Sequence, residues 1–367
     1  MFRKSSVRAL CLAVAAGLVL LSGCASAGQS GGGGSDPSRL SVLPADVHLS
    51  GRADTPAPKP LSTKQSLKVG IPSKLELEAP ALLAQTYGEF AKENLGVSFV
   101  TDTVPNLLTL LGQNKIDLVY AGAQALVFNA VNDGVPIRWV SGVASSSPDS
   151  GLFMSTKYGS SMTDFNPKVL KGKTIGVNPG ALAAPSEYGL YDAIRKAGLS
   201  PSDVRMTPFS DPSAMVQALD SGTIDGATLG PPYTAALKQG VAFQAEPGYP
   251  STIQIAGYFA TTQLLNSRRT AGVAFFRALE RTVNTYLSGD YHQNADVMAK
   301  IATQLGTTVA SLRLAPSVPF DFNVPAQSVA SLQQMYQAVP GTLLSNQTVK
   351  PDQLIDLSLV VDAAQGK

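Results

Sequence analysis

Residues 219–233 read Leu-Asp-Ser-Gly-Thr-Ile-Asp-Gly-Ala-Thr-Leu-Gly-Pro-Pro-Tyr, and an echo of them stands at 111–124, Leu-Gly-Gln-Asn-Lys-Ile-Asp-Leu-Val-Tyr-Ala-Gly-Ala-Gln. Aligning Ile116-Asp117 with Ile224-Asp225, 108 positions apart, places Leu111 on Leu219 and Gly122 on Gly230. The echo extends outward at an offset of 106. Leu67-Lys68-Val69-Gly70-Ile71 falls on Lys173-Thr174-Ile175-Gly176-Val177, and Gly134-Val135 on Gly240-Val241. Such a period is far longer than the unit of a solenoid. It predicts two α/β lobes of one design, joined in series.

Around these anchors, strands and helices alternate. The first lobe predicts strands at 67–71, 97–101, 117–121 and 138–143, with helices at 79–94, 105–112 and 123–132. The second predicts strands at 174–177, 204–209 and 225–229, with helices at 185–197, 212–220 and 231–239. Alternation of this kind implies βαβ units and mainly parallel sheets. The polar run 144–151 joins the lobes. An apolar strand within 253–262 carries the chain back to the first lobe, so that two crossings make a hinge. Helices at 268–286, 294–305 and 326–337 follow. The apolar stripe Phe275, Phe276, Leu279 and Val283 reads as core packing, and so does Trp139 within its strand. Lobe 1 is then 67–150 plus 258–367, and lobe 2 is 151–257.

The N-terminal region has a different character. A charged start (Arg3, Lys4, Arg8) precedes an apolar run at 9–21 that is too short to span a membrane comfortably and closes on Leu21-Ser22-Gly23-Cys24. Residues 1–23 read as an export signal. Its end resembles the bacterial lipoprotein box, which implies lipidation of Cys24 and anchoring on the outer face of the cell membrane. Residues 24–66, rich in Gly, Ser, Pro and Ala, read as a flexible tether.

Export also disposes of the thiols. Cys11 leaves with the signal and Cys24 carries lipid, so the folded part has no disulfide, Cys nucleophile or Cys-based metal site. The two histidines, His48 and His292, have no His or Cys partner at ligand spacing and read as solvated residues. No metal, cofactor or catalytic residue is expected. Removing Arg3, Lys4 and Arg8 leaves 25 basic against 26 acidic residues, which gives no basic field for nucleic acid.

In open α/β sheets, ligands bind beyond the carboxyl ends of the strands, where helix N-termini present N–H groups. The candidate loops are therefore 72–76, 121–124, 178–185 and 230–233. They nominate Ser73, Glu76, Gly122, Ala123, Gln124, Asn178, Gly180, Ala181, Leu182, Gly230, Pro231 and Tyr233 as ligand-binding residues. The glycines would permit close backbone approach, although turn geometry explains each of them equally well. Gln124 and Asn178 offer side-chain hydrogen bonds, and Tyr233 a ring and a hydroxyl.

Three motifs carry a resemblance: Lys-Gly-Lys-Thr-Ile-Gly-Val at 171–177, Lys-Ala-Gly-Leu-Ser-Pro-Ser-Asp-Val at 196–204 and Ala-Leu-Asp-Ser-Gly-Thr-Ile-Asp-Gly-Ala at 218–227. In order and spacing they resemble the solute-binding lipoproteins of nitrate, sulfonate, taurine and thiamine-precursor ABC importers. The resemblance implies a type II periplasmic-binding fold, a ligand cleft between the lobes, and a monomer that delivers its ligand to an ABC permease and its ATPase. Two departures stand out. Pro-Gly-Ala-Leu-Ala-Ala-Pro at 179–185 has no hydroxyl, and Gly230-Pro231-Pro232 stands where relatives often carry Trp-Glu-Pro. Both remove polar groups from the expected cleft, and a desolvated sulfonate needs charge-assisted partners. Among the loop residues only Lys74 is cationic, whereas Glu76 or Glu78 would suit a cation. An enzyme on the same fold and a ligand-sensing lipoprotein are the alternatives to transport.

Overall fold

The computed structural model describes residues 39–45, 47–49, 55–72, 74–145 and 147–367. The export signal, Cys24 and Ser73 lie outside the described residues. Among the described residues, ten strands form two five-stranded sheets. In chain order they are β1 (Gln65–Ile71), β2 (Leu95–Thr101), β3 (Leu118–Gly122), β4 (Ile137–Ser141), β5 (Gly151–Ser155), β6 (Thr174–Val177), β7 (Arg205–Pro208), β8 (Gly226–Leu229), β9 (Ala242–Pro247) and β10 (Ala256–Thr261).

The first sheet runs β2-β1-β3-β10-β4 and the second β7-β6-β8-β5-β9, which is one order used twice. In each, the first three strands are parallel and the fourth is antiparallel to both neighbours. That odd strand is the one arriving from the other lobe, β10 in the first sheet and β5 in the second. The 108-residue echo is this shared order, and it is the two-lobed architecture of the type II periplasmic-binding fold.

The repeated glycines have a packing cause. A Cβ on Gly70 would stand 2.8 Å from Leu107 Cδ2 and 3.0 Å from Ile116 Cδ1. On Gly176 it would stand 2.8 Å from both Met215 Cγ and Ile224 Cδ1. The neighbours are themselves related by the offset of 108, so each lobe seats a helix on its first strand at the same glycine.

Several boundaries differ from the expectation. The helix at 79–94 divides into Ala79–Thr86 and Glu89–Lys92 because Gly88 takes a left-handed φ of 72°. The helix at 231–239 shrinks to the short turn Tyr233–Ala236, and beyond it the Lys238 N–H turns aside to Asp220 Oδ1 at 3.1 Å. Strands β5 and β9 are not visible as period-2 patterns in so few residues. Residues 256–261, expected within the second crossing, instead pair between β3 and β4 inside the first sheet. The crossing itself is therefore confined to 248–255.

The tether is also shorter than expected. Val47 and Leu49 are buried, Leu40 and Leu43 pack against the main core, and the Leu40 carbonyl accepts the Leu357 N–H at 2.7 Å. Residues 56–61 are held by a buried ionic network on the long helix Arg269–Tyr286. Arg277 Nη2 reaches Glu93 Oε2 at 2.6 Å and the Lys59 carbonyl at 3.0 Å. Arg281 binds Glu93 Oε1 at 2.6 Å and Glu89 Oε2 at 2.8 Å. A Pro-rich composition hides this, because Arg277 and Arg281 lie 218 and 225 positions from the Lys59 and Pro56 carbonyls they bind. Phe275, Phe276, Leu279 and Val283 on the same helix are buried as core, and so is Trp139. Among the described residues, no helix is long and apolar enough to cross a membrane.

Candidate functional site

The strand ends deliver the four candidate loops in two pairs. The loop after β1 and the loop after β8 line one cavity of about 420 Å³, and with it Glu76, Gly230, Pro231 and Tyr233 come together. A volume of this size suits a small-molecule ligand. The two crossings form another wall through Ser145, Ser147, Ser150, Tyr249 and Ile255. Tyr249 hydroxyl donates to the Ser145 carbonyl at 3.4 Å, and the Gly248 N–H donates to the Ser150 carbonyl at 2.7 Å, so the crossings hold each other. Burial pushes the Tyr249 phenol up to about 12.

The other two loops meet each other instead of this space. A Cβ on Gly122 would lie 3.0 Å from Pro185 Cγ, which places the end of β3 directly against the segment after β6. Ala123 is buried, its N–H bonded to the Ile255 carbonyl at 2.8 Å and its carbonyl to the Tyr336 hydroxyl at 2.5 Å. Gln124 precedes the helix Ala125–Asn132 and its N–H turns back to the Gly122 carbonyl at 2.8 Å. The Asn178 amide is committed to Glu187 Oε1 at 2.9 Å, and its backbone N–H to the same oxygen at 3.0 Å. Burial raises the Glu187 carboxyl above its usual range, against the hydrogen bonds that favour the ionised form.

Gly180 (φ 98°) and Ala181 (φ 44°) are both left-handed and start the turn that buries Leu182. A left-handed alanine carries backbone strain. This turn packs on the helix Gln327–Gln337. Gly122 thus meets Pro185 of the other lobe, and Gly122, Ala123, Gln124, Asn178, Gly180, Ala181 and Leu182 are not among the residues that line this cavity.

Behind the cavity wall, Glu76 is bonded to a histidine that was expected to be solvated. His292 is buried at 4% exposure, and its Nε2 meets Glu76 Oε1 at 2.6 Å. It is not a solvated residue, and a His–carboxylate pair does exist at this cavity. The Tyr291 hydroxyl donates to the same oxygen at 2.6 Å and accepts the Val318 N–H at 3.0 Å. Separation hides the pair, since 216 positions lie between its members. His48, by contrast, is exposed.

Two residues beyond Glu76, Glu78 is fully buried with Oε2 accepting the Leu75 N–H at 2.7 Å. Burial lifts its carboxyl to about 8. The C-terminal stretch completes the cavity with Leu305, Leu312, Val318 and Pro319, none of which the strand-end rule nominates. The apolar run Ala315-Pro316-Ser317-Val318-Pro319 was the available signal.

Two lobes of repeated order, with a cavity where the strand ends and crossings converge, define a protein of the periplasmic-binding fold. The chain belongs to the NMT1/THI5-like family, whose model matches residues 78–288. Among solved structures, it is similar to the periplasmic aliphatic sulphonate binding protein SsuA from Escherichia coli, with a TM-score of 0.59 and 20% identity over 78% of this chain and 91% of that one. It is equally similar in fold to the periplasmic nitrate-binding protein NrtA from Synechocystis PCC 6803, with a TM-score of 0.59 and 13% identity over 85% of this chain and 90% of that one. A curated relative is 4-amino-5-hydroxymethyl-2-methylpyrimidine phosphate synthase of Schizosaccharomyces pombe, 33% identical over 153 residues. That match covers 40% of this chain and 39% of the relative, so less than half of the enzyme's length is represented. The sequence relative is thus named as an enzyme, whereas these two structural neighbours are named as binding proteins.

Proposed function

We propose that the chain is an extracytoplasmic solute-binding lipoprotein that captures a small molecule between its lobes and delivers it to an ABC-type permease and its ATPase. The carrying observation is the cavity itself, whose wall is shared by the loop after β1, the loop after β8 and both crossings. A ligand there touches both lobes and so favours a closed arrangement over an open one. With β10 in the first sheet, lobe 1 comprises 67–143 and 256–367, lobe 2 comprises 151–247, and bending falls in 144–150 and 248–255. Lipidation of Cys24 would hold the monomer on the outer face of the membrane. Similarity to periplasmic proteins supports export, and the Leu-Ser-Gly-Cys ending supports the anchor.

A thermal-shift panel on the full chain tests this, with nitrate, alkanesulfonates, taurine, aminopyrimidines, flavins and aromatic amines. A true ligand at about 100 times its Kd adds about 2.7 kcal/mol of stability. Silence across a folded sample would count against solute capture from this panel.

One observation favours a catalytic reading, namely the His292–Glu76 pair. Its geometry serves structure better, because the buried ring spends Nε2 on Glu76. Cofactor-free turnover of a bound panel compound would establish catalysis instead.

A further inference from the structure

We propose that the cavity selects an organic cation, a protonated amine or amidinium carried on an apolar body, and that Glu76 is the residue that binds its charge. The inference rests on the reading of the cavity as the solute site and adds the class of solute.

Among the described residues, the charged side chains on the cavity wall are Lys74 and Glu76. They are not equivalent. Lys74 is exposed, whereas Glu76 is partly buried with a side-chain exposure of 13%. Glu76 is also built in. Tyr291 and His292 both bond Oε1 at 2.6 Å, which sets the carboxylate's orientation and leaves Oε2 without a hydrogen bond from any described residue. A partly desolvated carboxylate oxygen with no partner among the described residues favours a donor, and a charged donor most of all.

The remaining wall agrees with a cation. Tyr233 and Tyr249 both contribute to it, and aromatic faces attract cations within about 6 Å. Leu77, Ile255, Leu305 and Val318 supply apolar contact for the body of the ligand. An oxyanion would find Lys74, which is exposed, and neutral hydroxyls such as Ser145 and Ser150, but no buried cation on the wall among the described residues. Pro231 and Pro232 bring no N–H to the end of β8, and His292 Nε2, behind Glu76, is already spent on that carboxylate.

Three probes with one body separate the classes: 2-phenylethylamine, 2-phenylethanol and 2-phenylethanesulfonate, titrated calorimetrically into the full chain. The amine should bind at least tenfold more tightly than the alcohol, with the sulfonate weakest. Glu76→Gln should weaken the amine by about tenfold to a hundredfold, the range of a charged hydrogen bond, and change the alcohol less than twofold. The ranking of head groups on the unaltered chain stands even if Glu76→Gln fails to fold. A sulfonate or alcohol that binds as tightly as the amine overturns the cation assignment and leaves the solute cavity standing. An amine that fails to bind in both calorimetry and thermal shift overturns the cation assignment, while solute capture stands or falls on the wider panel.

Discussion

Asp117 and Asp225, related by the 108-residue offset, make the same pair of hydrogen bonds in their two lobes. Asp117 Oδ2 accepts the Lys68 N–H at 2.8 Å while its own N–H donates to the Lys68 carbonyl at 2.8 Å. Asp225 Oδ2 accepts the Thr174 N–H at 2.9 Å and its N–H donates to the Thr174 carbonyl at 2.8 Å. Each aspartate thus ties the start of its lobe's third strand to the first strand. Asp117 also pairs with Arg268, and Asp225 Oδ1 accepts the Tyr158 hydroxyl at 2.5 Å.

Asp225→Ala should therefore destabilise the chain by about 1–3 kcal/mol, because it strands the Thr174 N–H and the Tyr158 hydroxyl. Urea unfolding followed by circular dichroism measures this. A midpoint equal to that of the unaltered chain would show that the repeated aspartate contributes nothing to the lobe.

Such relationships explain what could be read in advance. Ile116-Asp117 and Ile224-Asp225 immediately precede β3 and β8 and repeat at a fixed offset, so the two lobes and their parallel strands were legible, whereas β5, β9 and the place of β10 were not. The Glu76–His292 pair and the Arg277–Glu93 pair were not, since each joins positions far apart through tertiary packing alone. The strand-end rule reached Glu76, Gly230, Pro231 and Tyr233. It knows nothing of the 305–319 wall, which folds over the cavity from outside both repeats.

Arg277→Ala should cost about 3–5 kcal/mol, the range for breaking one side of a buried ion pair. Glu93 is fully buried, Arg281 alone would remain beside it, and the Lys59 carbonyl would lose its donor. The same variant should expose residues 56–61 to limited proteolysis. Unchanged melting and unchanged cleavage would refute the role given to this network.

Glu78 makes stability depend on pH in a defined direction. Its folded carboxyl titrates at about 8, above the ordinary 4.5, so the folded chain holds a proton that the unfolded chain has released. Stability from this group is complete below pH 4.5 and is lost as pH rises to about 8, by up to about 5 kcal/mol. Glu78→Gln should flatten that slope and be the more stable form at pH 8.5. Parallel pH profiles for the two proteins would contradict it.

Solute capture is tested most directly at Gly230, whose added Cβ would stand 3.1 Å from Ser150 Oγ on the cavity wall. The compound that most stabilises the unaltered chain should be titrated into Gly230→Leu, with melting temperature and heat of binding both recorded. The expected result is a folded variant whose ligand-induced shift has disappeared. A shift of the same size in the folded variant would place the ligand elsewhere and remove the cavity from the mechanism.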